Sequence, residues 1–361
     1  MADVFLKTTE GVFGGWTSMR LSLSMEHCAN RFEIELTEMW PDQQQPRRIL
    51  PWDGCEVLLG DQVVITGYVD ELDVEHNDQD HALRVTGRDK TSDLVDCSAV
   101  AKTGQWRGLK IEQIAEQLAK PFGIKVRADV NTGAALPSFA VQEGESAFEA
   151  IERAARMRAL LLMSDGQGRL LITRAGTARV DTPLVLGVNI AAGGVRYDVR
   201  DRYSDYVVKG QSSGRYYEGG DAALVAKQAA SAKAMVKDTL VPRYRPLVMT
   251  GECQDVGASL GQRVQWEANV RAARSTQVQI DLRGWEHDGG LWRPNALVYV
   301  QDRWLGIDGE LLISAVDFTL SEDGRKTTLH LTNKDAFAID SQGDGKKGGA
   351  ASHPVSWWDK K

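Results

Sequence analysis

Two widely separated stretches of the chain alternate apolar and polar positions in the same way. Phe32-Glu33-Ile34-Glu35-Leu36-Thr37 near the start has its counterpart in Val278-Gln279-Ile280-Asp281-Leu282-Arg283. Alternation with a period of two puts every second side chain on one face, the mark of a half-buried β-strand. Trp40 or Trp285 closes each run, and a turn-rich stretch follows, Trp52-Asp53-Gly54 or Trp292-Arg293-Pro294. Short strands at 56–59 and 297–300 and longer ones at 69–74 and 313–318 recur in the same order. Val85-Thr86-Gly87-Arg88-Asp89 and Leu331-Thr332-Asn333-Lys334-Asp335 end the two copies. The pattern predicts a duplicated β-module with an approximate internal twofold repetition. The matched tryptophans point to core or corner packing.

The expected fold is mainly β, with two similar small β-barrels and smaller α/β modules. Residues 1–98 read as the first barrel, with Leu21, Leu23 and Met25 alternating with Ser22 and Ser24, and a hairpin turning at 77–80. Residues 99–178 read as an α+β module. A helix at 108–120 carries Ile111, Ile114, Ala115 and Leu118 and stops before Pro121. A second helix opens at Ser146, which forms a capping-box pattern with Glu149, and a buried hairpin follows over 160–172. The second barrel is expected to be discontinuous, at 179–213 and 247–340. A helical insertion at 214–246 interrupts it, with an Ala-rich helix at 221–236, and a further helix is expected near 257–273. Residues 341–361 read as a flexible tail in which a Gly- and Lys-rich linker leads to Trp357-Trp358.

Charge and composition narrow the function classes. A net charge of −7 disfavours a protein built to hold nucleic acid, which needs clustered Lys and Arg. Four cysteines with no C-x-x-C pair read as reduced, structural thiols of a protein made in a cytoplasm. No signal peptide is evident, and no apolar run approaches the ~20 residues of a membrane span, so no membrane anchor is expected. The six histidines lack metal-ligand spacing, and neither a nucleophile elbow nor a phosphate loop is present. No catalytic, metal or cofactor site is expected. Glu33 and Glu35 lie two apart on one strand face, at about 7 Å, a separation a glycosidase could use. Their counterparts are Gln279 and Asp281, so a solvated or channel-lining face is the better reading. Trp357-Trp358 is either a disordered end or an anchor that docks on a partner.

Several segments in this order resemble the baseplate hub proteins of contractile-tailed phages, the Mu-like hubs in particular. They are Thr86-Gly87-Arg88-Asp89-Lys90-Thr91 with its continuation to Ser98, Gly144-Glu145-Ser146-Ala147-Phe148-Glu149 with the hairpin after it, Val241-Pro242-Arg243-Tyr244-Arg245-Pro246, and Trp285 through Asn295. The wider group includes the T4-like hub, the P2-like late control protein and the base of type VI secretion spikes. The resemblance implies a non-enzymatic homotrimer whose six tube-like barrels form a ring. That ring would accept a hexameric tail tube on one side and a trimeric central spike on the other. Other baseplate proteins and the tape measure protein would be further partners. DNA would only pass through, and any lytic activity would belong to another protein. The protein would be assembled in the host cytoplasm and reside in the virion tail. Glu33, Glu35 and Asp281 are candidates to line the opening, where an acidic surface discourages phosphate from adhering. The rival readings are a tail-associated glycan-degrading enzyme and a monomeric carbohydrate-binding module.

Overall fold

The computed structural model describes residues 4–37, 49–76, 81–156, 158, 160–176, 178–210, 233–250 and 258–333. Seven strands make the first β-copy: β1 (Val4–Thr8), β2 (Gly11–Phe13), β3 (Ser18–Ser24), β4 (Arg31–Thr37), β5 (Gly54–Leu59), β6 (Gln62–His76) and β7 (His81–Asp89). Five longer strands make the second, β8 (Ile190–Tyr197), β9 (Thr276–Arg283), β10 (Ala296–Asp302), β11 (Ile307–Ser321) and β12 (Gly324–Asn333), and two short ones, Ala178–Arg179 and Leu184–Val185, pair in parallel with β10. The hydrogen-bonded order is β3-β4-β7-β6-β5 in the first copy, extended by β1 and β2, and β8-β9-β12-β11-β10 in the second. The two orders agree place for place. β6 and β11 are each 15 residues long and change neighbour midway. Each carries an irregularity where it does so, between Val69 and Glu71 or between Ile313 and Ala315. The extra residue bends and twists the strand, which lets one strand serve two neighbours.

The copies are fused. The second half of β11 pairs antiparallel with β3, from Ala315 opposite Ser24 to Leu320 opposite Met19. This joint makes one continuous sheet over one buried cluster. Leu21, Phe32, Ile34 and Val85 of the first copy share that cluster with Ile280, Ile313, Phe318 and Leu329 of the second. Among the described residues, strand pairing forms one continuous sheet and closes neither copy into a barrel.

Local chemistry explains where the copies differ. Gly87 lies opposite Phe32, and Leu331 lies opposite Val278. The closing segments therefore correspond two residues away from the expected match of Val85 with Leu331. A Cβ at Gly87 would stand 2.5 Å from the Phe32 ring and 2.2 Å from the Tyr68 carbonyl oxygen. Only glycine fits there. The second copy divides the same space between Val278 and Leu331. The tryptophans of the turn-rich stretches also part company: Trp52 is 88% exposed on a left-handed backbone (φ 78°), whereas Trp292 is buried. Trp285 is buried, and its Nε1–H donates to the Thr319 carbonyl at 3.0 Å. Trp40 lies outside the described residues.

Two smaller units flank the sheet. The first holds α1 (Ser92–Asp96), α2 (Ile111–Ala119), α3 (Ala147–Arg156) and a three-stranded sheet of Val126–Ala128, Leu161–Ser164 and Leu170–Thr173. Helical spacing buries Ile111, Ile114, Ala115 and Leu118 of α2 against Ile151, Leu162 and Ile172. The capping box at α3 forms as expected: the Glu149 N–H donates to Ser146 Oγ at 3.1 Å and the Ser146 N–H to Glu149 Oε2 at 2.8 Å. In the second unit Asp205–Lys209 is the central strand between Lys233–Lys237 and Pro246–Thr250. α4 (Ala258–Arg274) covers one face, packing Leu260, Val264 and Ala268 on Tyr206 and Val208. These strands form their own sheet instead of extending the large one. Lys233–Lys237 is a strand where the Ala-rich helix was expected to finish, and 211–232 lie outside the described residues. The buried Arg202 guanidinium meets the Asp238 carboxylate at 2.6 Å, holding the entry to this unit.

Asp89, at the end of β7, is fully buried at the junction with the α+β unit. It accepts from the Asn30 N–H at 3.1 Å and from the hydroxyls of Thr91 and Ser164. Burial pushes its carboxyl up to about 6, against these hydrogen bonds, which lower it. An unfolded Asp titrates near ~3.9, so the folded chain holds this proton more tightly. Stability from this site is greatest below about pH 4 and declines as the pH rises to about 6. Asp89→Asn, neutral throughout, is expected to lack that decline. Urea midpoints across this range check it, with the gap between the two proteins changing by roughly 2–3 kcal/mol.

Candidate functional site

The outward side of the large sheet is a continuous polar face. Alternation sends Arg20, Ser22 and Ser24 of β3, Glu33 and Glu35 of β4, Arg84 and Thr86 of β7, and Asp73 of β6 to that side. The second copy adds Gln279 and Asp281 of β9, Asp317 of β11, Lys326, Thr328 and His330 of β12, and Arg196 of β8. Glu33, Glu35 and Asp281 thus share one face, on corresponding strands of the two copies. Two cavities open on it. One, of about 540 Å³, is lined by Arg20, Glu33, Glu71, Arg84 and Arg88. The other, of about 780 Å³, is lined by Ser22, His27, Arg196, Gln279, Asp281, Asp317 and His330.

The acidic groups of this face stand beside basic ones. Arg84 is salt-bridged to Glu33 through Nη2 and lies 3.6 Å from Glu35 through Nε. Ser18 Oγ donates to Glu35 at 2.8 Å. Asp281 meets Lys326 Nζ at 2.7 Å and accepts from Thr328 Oγ1 at 2.8 Å. Burial raises the Asp281 carboxyl, but the Lys326 ammonium and the Thr328 hydroxyl outweigh it and hold it below the usual carboxylate range. Asp317 lies 3.2 Å from His330 Nε2 and 3.6 Å from Arg20. Burial raises its carboxyl too, and hydrogen bonds from His330 and Ser22 bring it below the usual range. The face is charge-balanced, which modifies the expectation of an acidic surface drawn from the net charge. Arg84 engages both Glu33 and Glu35, so neither carboxylate stands alone on this face. Among the described residues no group of three or more His, Cys, Asp or Glu is placed to hold a metal ion, and no helix is long and apolar enough to cross a membrane.

Two strand edges border the face. Among the described residues, β6 pairs with β7 alone beyond the irregularity at Val69, and β8, apart from a single bridge between Ile190 and Leu186, pairs with β9 alone. Val74 on β6 is 55% exposed and Tyr197 on β8 is 48% exposed. Apolar side chains on open edges mark places where another chain can add. The alternation pattern named Val74 as a strand position but not Tyr197, and nothing in it distinguishes a covered edge from an open one. Trp357 and Trp358, the candidate anchor, lie outside the described residues.

An open-edged duplicated sheet with a balanced polar face can be compared with known proteins. Residues 3–89 match the Mu phage baseplate assembly protein GpP-like N-terminal family. Residues 91–174 match the second domain of baseplate hub protein gp44-like proteins, and 257–340 the fourth domain of GpP. The baseplate hub protein gp44 of Escherichia phage Mu is 35% identical over 354 residues, covering 96% of this chain and 92% of its own. This chain belongs to the gp44-type baseplate hub family. The 43 kDa tail protein of prophage MuSo2 from Shewanella oneidensis shares the fold at a TM-score of 0.82 and 33% identity, over 93% of this chain and 100% of its own. A tail protein from Neisseria meningitidis superposes at a TM-score of 0.78 with 23% identity, over 93% and 97% of the two chains.

Membership in the gp44-type hubs gives the chain a structural part in a phage tail baseplate. The polar face is then a surface whose charges matter collectively, each pair contributing little. Lys326 is half exposed, so its pair with Asp281 is worth under about 1 kcal/mol. A carboxyl held below its unfolded value contributes stability that is present above pH ~4 and lost as the pH falls through the folded value. Lys326→Met is expected to lower the urea midpoint slightly at pH 7. The gap from the natural protein should narrow as the pH falls below about 4, which parallel unfolding curves over a falling pH series would show.

Proposed function

We propose that this protein is the hub of a contractile phage baseplate, acting as a homotrimeric ring that adapts a hexameric tail tube to a trimeric central spike. The observation that carries the reading is the repeat: one chain holds the same five-strand order twice, joined edge to edge, with an open edge left at each end. Three such chains present six similar modules while keeping closed threefold symmetry. One side of the ring then suits a sixfold partner and the other a threefold one. In the ring each open sheet continues into its neighbours, and the barrels expected from the sequence close through assembly. An obligate interface of this kind buries at least ~2,000 Å². The remaining partners are other baseplate proteins and the tape measure protein, met during assembly in the host cytoplasm.

The polar face forms the wall of the central opening, with Glu33, Glu35 and Asp281 among its lining residues, and DNA crosses it only in transit. Alternating paired charges give a wall with little net attraction for a phosphate backbone. Its chemistry is passive, and no observation favours the enzymatic or glycan-binding readings over it.

Sedimentation equilibrium tests the assembly. The chain has a mass of 39.7 kDa, and a particle of about 120 kDa is expected for a closed trimer. A stable monomer or dimer at micromolar concentration overturns the ring. For the conduit, combined Glu33→Lys, Glu35→Lys and Asp281→Lys substitutions should leave particles assembled but slow DNA release, with the delay relieved by added salt. Unchanged release kinetics would remove these residues from the wall.

A further inference from the structure

We propose that the trimer is closed by one specific backbone joint. In it, β8 of one copy adds to the second half of β6 in the next copy, in the register that the chain already displays between β3 and β11. The inference rests on the ring reading above but goes further, since a ring could also be held by loops, by the flanking units or by another register.

The internal joint supplies the template. There Leu21 lies opposite Phe318, Ser22 opposite Asp317 and Leu23 opposite Val316. The two copies are then related strand by strand through their own ladders. β4 corresponds to β9, with Phe32 in the place of Val278, because Phe32 faces Gly87 as Val278 faces Leu331. Leu21 faces Phe32 across one ladder and Val195 faces Val278 across the other, so β3 corresponds to β8 with Leu21 in the place of Val195. The irregularities in β6 and β11 align Val69 with Ile313 and Glu71 with Ala315. Val74 therefore takes the place of Phe318, Asp73 that of Asp317 and Leu72 that of Val316. Applied between chains, the template sets Val195 opposite Val74, Arg196 opposite Asp73 and Tyr197 opposite Leu72 of the neighbouring copy.

The side chains at these positions suit that joint. Val74 and Tyr197 are 55% and 48% exposed, whereas their counterparts inside the chain, Phe318 and Leu23, are 0% and 3% exposed. What one edge covers, the other leaves bare. On the polar side, the internal Ser22–Asp317 pair becomes Arg196 opposite Asp73, two opposite charges on facing strands. Arg196 is largely exposed and only loosely paired with Asp198, at 3.8 Å. Glu71 comes opposite Asp198, whose charge the Arg200 guanidinium already holds at 2.5 Å. The two edges differ, so the joint is head-to-tail, as a cyclic ring requires, and a twofold dimer cannot satisfy it.

The test uses the full chain with Val74→Cys and Val195→Cys and with Cys97 and Cys253 replaced by Ser, bridged by a short bis-maleimide. Facing positions on antiparallel strands have Cβ atoms about 4.5–5.5 Å apart, and a two-residue slip adds several ångströms. Covalent dimers and trimers on a denaturing gel are expected from the double variant, with far less from either single variant or from His76→Cys with Val195→Cys. In parallel, Arg196→Asp or Asp73→Arg alone should weaken trimer association at least tenfold, and the two together should restore it. A particle of trimeric mass in which Val74→Cys and Val195→Cys do not bridge, or in which the double charge reversal fails to restore association, overturns this joint and leaves the ring standing. A monomeric natural protein overturns the ring itself.

Discussion

The structure depends on six residues of β11 pairing with β3. Without that ladder each copy would be a separate sheet with an uncovered margin, and the shared cluster would divide. With it, Phe318 and Leu21 are fully buried in the seam. Burying a large apolar side chain contributes roughly 1.5–3 kcal/mol, so this short ladder brings far more than its hydrogen bonds. The long β11 makes this possible. Its first half completes its own copy, its second half reaches into the other, and the irregularity after Ile313 separates the two tasks.

The flanking units are fixed to this sheet by buried polar groups, which specify orientation better than apolar contact does. Asp89 gathers donors from β7's continuation, from the β3–β4 connection and from the α+β unit. In the unit covered by α4, Arg202 pairs with Asp238 and donates to Ser275, which directly precedes β9. Each site is costly unless all its partners are present, so a misplaced unit is penalised. The polar face works differently. Its groups stay partly hydrated, are paired with neighbours on adjacent strands, and are individually weak. Such a surface fits the structural part that membership in the baseplate hub family gives the chain.

Much of this was legible in the chain. Period-two alternation located corresponding strands to the residue at 32 and 278 and at 69 and 313, because a half-buried strand has only one way to expose its polar side. It also placed Glu33, Glu35 and Asp281 on one face. The helices α2 and α3 followed from spacing and, for α3, from the Ser146–Glu149 cap. Legibility failed where the outcome depends on strands distant in the chain. Arg84 and Lys326, which hold the candidate carboxylates, come from neighbouring strands and leave no local trace. Lys233–Lys237 carries helix-favouring residues but becomes a strand because Asp205–Lys209 offers it a ladder. Trp52 and Trp292 look equivalent in the chain, yet one is turned to solvent by a left-handed backbone. Strand content is likewise silent about where a sheet ends.

The contrast between Gly87 with Phe32 and Leu331 with Val278 has a consequence for how the two halves of this chain can vary. Each pair fills the same space, one by an aromatic ring over a missing side chain and the other by two aliphatic groups of moderate size. Transplanting a single residue from one half into the other would overfill or empty that space, so the halves are no longer interchangeable and changes there must be compensatory. The duplication has thus become two distinct parts that share a blueprint, free to specialise toward different neighbours while still meeting at a common seam.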